Sequence, residues 1–174
     1  MGFVKRRGLL VTVLFAAALT AFADDKAVPG PLEKELIGHW VLQGTLAGRE
    51  VIHDVDAQWV LGSEYVQLHE VARGKKTDGT PEYEALIYIE WNDKTHEYSC
   101  LWLDSTGGGG LSNGIRGRAT PTESSIPFVF AYSPDHMFHN TFTYDRKSDS
   151  WEWLLEDHDK GKVSVFGRVR LKKG

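Results

Sequence analysis

Seven histidines, one cysteine and several clustered carboxylates are the residues of this 174-residue chain with chemistry to offer. The densest group is Asp135-His136-Met137-Phe138-His139, a composition that raises metal or haem ligation. Transition-metal sites need three or more convergent ligands, and residues three apart on a strand point to opposite faces. His136 and His139 therefore cannot both reach one ion unless a turn intervenes, and no metal is expected. His53 and His69 fall on neighbouring segments, where only a favourable register would join them. Cys100 is the single cysteine, so no internal disulfide can form. In an oxidising compartment a lone cysteine is expected to be buried and inert.

Catalysis by a nucleophile needs a base beside it, and acid–base hydrolysis needs paired carboxylates across a cleft. Ser, His and Asp are all present, yet no nucleophile elbow or metalloprotease motif appears. Glu156-Asp157-His158-Asp159 reads as the polar end of a strand entering a turn. The run Gly107-Gly108-Gly109-Gly110 has the composition of a hinge or of a backbone nest for an anion. It lacks the strand–loop–helix surroundings of a nucleotide loop, which leaves a flexible connection as the simpler reading.

The elements that must position these residues begin with a segment that is not expected to fold. Lys5, Arg6 and Arg7 precede an apolar run from Gly8 to Phe22, and Ala21-Phe22-Ala23 supplies a small-x-small cleavage pattern. Residues 1–23 are therefore expected to be a signal peptide, with Asp24 the new N-terminus and a periplasmic or secreted destination. The run is shorter than the roughly 20 residues of a membrane span, so no stable membrane insertion is expected after cleavage. Arg6-Arg7 also fits a loose twin-arginine pattern, although an ordinary basic start is the simpler explanation. Removing these three cations from 20 basic residues leaves 17 against 24 acidic ones, a net charge near −7. Nucleic acid is not expected as a partner, because it is held by clustered positive charge.

After a linker over residues 24–31, rich in Pro and Gly, Leu32-Glu33-Lys34-Glu35-Leu36-Ile37 predicts a short helical turn. Everything beyond it has period two. Alternating segments fall at 38–46, 51–61, 64–72, 82–91, 96–104, 113–120, 126–132, 137–145, 150–158 and 163–171, with turn residues between them. Short links such as Ala47-Gly48 and Asp159-Lys160-Gly161-Lys162 make sequence neighbours into spatial neighbours. The fold expected for residues 32–174 is one all-β domain, a single antiparallel up-and-down barrel of about ten strands. Closure removes exposed edges and leaves room for one small ligand; an open sandwich is the alternative.

Gly38-His39-Trp40 opens the first strand just after the helical turn, and Arg168 and Arg170 lie on the last. This arrangement resembles the lipocalin-like (calycin) bacterial proteins and, more distantly, the ten-stranded nitrobindin barrels. The resemblance implies a structural plug at the closed end: Gly38 and Trp40 under a guanidinium of Arg168 or Arg170, stacked on the indole. Nitrobindins hold haem through a histidine on their last strand. Here Val163 to Leu171 contains none, so no cofactor is expected, and His158 is the nearest substitute.

In a meander that starts at the closed end, the links after odd strands rim the mouth. Two of them, 73–81 and 105–112, are the longest in the chain, and such loops on a rigid scaffold are where binding concentrates. The residues proposed to face a ligand are His53, Trp59, Tyr88, Trp102, His139, Phe142 and Trp153. They suit a small, flat, largely apolar molecule, and a binding or carrier role without catalysis is the leading expectation. A barrel isomerase, lyase or hydrolase using His53 or His139 is the first alternative. A filled barrel serving as a structural or interaction module is the second.

Overall fold

The computed structural model describes residues 30–107, 111 and 116–174. The expected signal peptide, residues 24–29 of the linker, Gly108–Gly110 of the glycine run and residues 112–115 lie outside that set. A four-residue helix, α1 (Glu33–Leu36), precedes ten strands: β1 (Gly38–Leu46), β2 (Arg49–Val60), β3 (Tyr65–Ala72), β4 (Glu84–Asn92), β5 (Glu97–Asp104), β6 (Arg116–Ala119), β7 (Ser125–Ser133), β8 (His136–Asp145), β9 (Ser150–Asp159) and β10 (Lys162–Lys173). Each strand pairs antiparallel with the next, and β1 closes on β10 through a register that sets Leu42 against Leu171. The result is a closed ten-strand meander, not an open sandwich.

Local chemistry explains the path. In β3, Val66, Leu68, Glu70 and Ala72 are buried while Tyr65, Gln67, His69 and Val71 take the other face, the period of two that a half-buried strand requires. Two mouth links are two-residue turns in which both residues have positive φ: Ala47 (49°) with Gly48 (74°), and Lys160 (47°) with Gly161 (77°). That backbone matches the right-handed twist of the strands it joins. At the other end the Asn92 side chain accepts from the amides of Lys94 (3.0 Å) and Thr95 (3.1 Å), folding the β4–β5 link back on itself.

The closed end is built around α1. So short a helix leaves its carbonyls without internal partners, and two indoles take them: Trp40 Nε1 donates to Leu36 O at 2.6 Å and Trp151 Nε1 to Glu35 O at 3.0 Å. The Leu32 amide donates to the Tyr98 hydroxyl at 3.0 Å, and Leu32 and Leu36 sink fully into the core. Above this floor pack Phe128, Phe142 and Trp153, all buried. Full burial of one such side chain contributes roughly 1.5–3 kcal/mol, so the lower half of the barrel is its stable half.

The plug differs from the expected one in its cation. Lys173 Nζ sits 3.6 Å from the Trp40 ring centroid and donates to Ile37 O at 3.1 Å. Arg168 and Arg170 alternate with the buried Val169 and Leu171 and therefore lie on the outer face, where Arg168 pairs with Glu152. The reason is register: Trp40 stands directly opposite Lys173, two residues beyond the end expected for the last strand.

Candidate functional site

The upper half of the barrel holds a cavity of about 700 Å³ that opens at the mouth, within the range of small-molecule sites. Its walls differ in character. Four consecutive strands, β2 to β5, with the residues that flank them, contribute Arg49, His53, Glu70, Glu82, Tyr83, Trp102 and Asp104. Strands β7 to β10 and β1 contribute Phe130, Tyr132, Phe138, Asn140, Trp153, Leu155, Phe166, Val169, Leu42 and Leu46. The first wall carries three carboxylates, a guanidinium and an imidazole beside the apolar Val51, Ala72 and Leu103; the facing one is apolar apart from Asn140, the Tyr132 hydroxyl and the Trp153 indole N–H.

The polar wall is organised around a buried pair. His53 Nδ1 donates to Glu70 Oε1 at 2.6 Å, and the two side chains are 4% and 2% exposed as residues. An ionised carboxylate only accepts, so this bond puts the proton on Nδ1 and leaves Nε2 an acceptor while the ring is neutral. Tyr83 stacks on the imidazole with centroids 5.6 Å apart. Its hydroxyl accepts from Trp102 Nε1 at 3.0 Å. Burial, with the nearby Glu70 charge, pushes the Tyr83 hydroxyl well above its ordinary range, so it stays protonated. A carboxylate–imidazole pair of this kind can hold a proton or pass one on.

The floor is aromatic. Trp153 lies flat on Phe142, 4.1 Å between centroids, and meets Trp102 edge to face at 6.2 Å. Two buried polar atoms of cavity-lining residues have no hydrogen-bond partner: Asn140 Oδ1 and Trp153 Nε1. At the mouth, Phe166 is the extra residue of a β-bulge between Val165 and Gly167 and meets Phe138 edge to face at 5.5 Å.

Of the seven residues proposed from the sequence, His53, Trp102 and Trp153 line the cavity. Phe142 is inward but one layer deeper, behind the Trp153 ring. Trp59 is inward and near the closed end, paired with Val66 and packed on the edge of the core. Tyr88 and His139 are on the outer wall, a correction that strand alternation explains: Tyr88 sits between the buried Ile87 and Ile89, and His139 precedes the buried Asn140. Tyr88 accepts there from Gln67 Nε2 at 2.8 Å, and His139 stacks on His158 at 3.8 Å. His69 is likewise outside, bonded to Glu84 at 2.7 Å, and does not meet His53. Among the described residues, no three His, Cys, Asp or Glu side chains converge as metal ligands would.

The sequence reading missed Glu70, Asn140 and Asp104. Glu70 and Asn140 were detectable, because each interrupts an inward apolar series: Val66-x-Leu68-x-Glu70-x-Ala72 and Phe138-x-Asn140-x-Phe142. A polar residue at an inward position is the informative observation in any core.

Fold and cavity together define a closed antiparallel barrel whose upper half holds a ligand-sized chamber. No protein-family model matches the chain, and no match was found among curated proteins. Among solved structures it is similar to the crystal structure of Rv2717c from M. tuberculosis, with a TM-score of 0.54 and 13% sequence identity. That likeness covers 85% of this chain and 99% of the other, and it concerns the fold alone.

Proposed function

We propose that this chain is an exported binding protein of the lipocalin-like kind, carrying a small, largely apolar molecule in the upper half of its barrel. The observation that carries this reading is the chamber itself: about 700 Å³, open at one end and walled on one side by Phe130, Phe138, Leu155 and Val169. A filled interior module would have had no such space. Export to the periplasm or beyond is supported by the basic start, apolar run and cleavage pattern of residues 5–23.

Native mass spectrometry of the mature protein, purified gently from its own cells, tests the carrier role. A reproducible extra mass that disappears on denaturation is expected. In Ala72→Trp, where an indole replaces a small lining residue, the extra mass should be lost. A clean apo mass for the wild-type protein, with no effect of the substitution on binding of any apolar dye, would count against the proposal.

A further inference from the structure

We propose that the cavity selects an amphipathic amine, an aromatic or aliphatic body whose protonated amino group docks against the Glu70–Asp104 wall. This rests on the carrier reading and gives its ligand a chemical class.

Hydrogen-bond supply and demand in the chamber are unequal. Among the described residues, the carboxylates that line it are Glu70, Glu82 and Asp104, the last already accepting from the Thr106 amide at 2.8 Å, against the guanidinium of Arg49 near the β1–β2 turn. Glu70 is 2% exposed and accepts one hydrogen bond, from His53, while an ionised carboxylate has about four acceptor sites. A carboxylate with one such bond keeps acceptor sites that a ligand's donor or cation can use. The Asn140 oxygen, itself fully covered on a residue that lines the cavity, is a further acceptor with no donor among the described residues. The terminal torsion of asparagine is broad, so the amide can turn toward a ligand.

An ammonium group answers this pattern, since it brings three donors and no acceptor. Aromatic faces attract it as well, and Tyr83, Trp102, Phe130 and Tyr132 line the same space. A ligand carboxylate would meet three like charges. Against them it would have the Arg49 guanidinium and the neutral donors of Tyr132, Asn140 and Trp153.

The test displaces the neutral dye N-phenyl-1-naphthylamine from the mature protein with three isosteres: tryptamine, 3-ethylindole and indole-3-propionate. Tryptamine is expected to compete at least about tenfold better than the acid, or about 1.4 kcal/mol. Glu70→Gln should remove most of that preference and leave 3-ethylindole unchanged. Asp104→Asn, on the exposed rim, gives the same reading should Glu70→Gln fail to fold. If the dye and 3-ethylindole bind while the acid matches or beats the amine, the amine inference is overturned and the carrier reading survives. The same holds if the preference survives both substitutions. If neither the dye nor any isostere binds, both fail.

Discussion

Glu33 sits in an environment at odds with its chemistry. It is 1% exposed beneath the barrel, its Oε2 accepts from the Gly30 amide at 2.6 Å, and its Oε1 has no partner. Burial raises its pKa from 4.5 to about 7, with repulsion from Glu90 adding to the effect. Below pH 4.5 the carboxyl is protonated whether the chain is folded or not, and nothing is lost. Between pH 4.5 and 7 the unfolded chain ionises first, so stability falls, and above 7 the full penalty persists. Urea unfolding should therefore give a larger unfolding free energy at pH 5 than at pH 8, by on the order of 1–3 kcal/mol. Glu33→Gln should flatten that difference; an unchanged pH slope would show that other groups set it. Cys100 is simpler. Burial pushes its thiol far up, and it stays neutral inside the wall.

At the level of the element, alternation made the strands legible and, applied strictly, would have sorted the site as well. The same parity that put Ile87 and Ile89 inward puts Tyr88 outward, and Phe142 inward implies His139 outward. Depth is different. Trp59 and Trp153 share the inward face of their strands, and only the barrel's register sends one toward the closed end and the other to the cavity floor. No local pattern encodes that, because height depends on how every strand is staggered against its neighbour. The plug failed for a related reason: β10 runs to Lys173, so the cation above Trp40 comes from beyond the Gly-Arg-Val-Arg stretch. Lys173→Met keeps the stem and removes the charge. It should lower stability by about 0.5–1 kcal/mol, whereas Arg170→Met, on the exposed outer face, should change it little. Equal effects of the two in chemical denaturation would return the plug to the arginine.

The whole molecule divides into a packed lower half and a hollow upper one, and the division follows the loops. The mouth carries the long connections and both bulges, between Ala131 and Ser133 and between Val165 and Gly167. The other end carries α1 and the three aromatic side chains that hold it. One feature of this design concerns time. The seam pairs β1 with β10, from Trp40 against Lys173 to Leu46 against Gly167, so the first strand made is completed by the last. Contacts of such span form slowly, because the intervening chain must be organised before they are rewarded. A chain synthesised or threaded from its N-terminus would therefore carry a bare β1 edge until nearly its final residue, and bare edges recruit other chains. Deleting residues 162–174 should make that passing state permanent, giving a protein that loses its cooperative urea transition and runs as oligomers on size exclusion. A monomeric, cooperatively folding product would mean that the remaining nine strands can close without the tenth. The waiting edge is also where a chaperone would have most to hold.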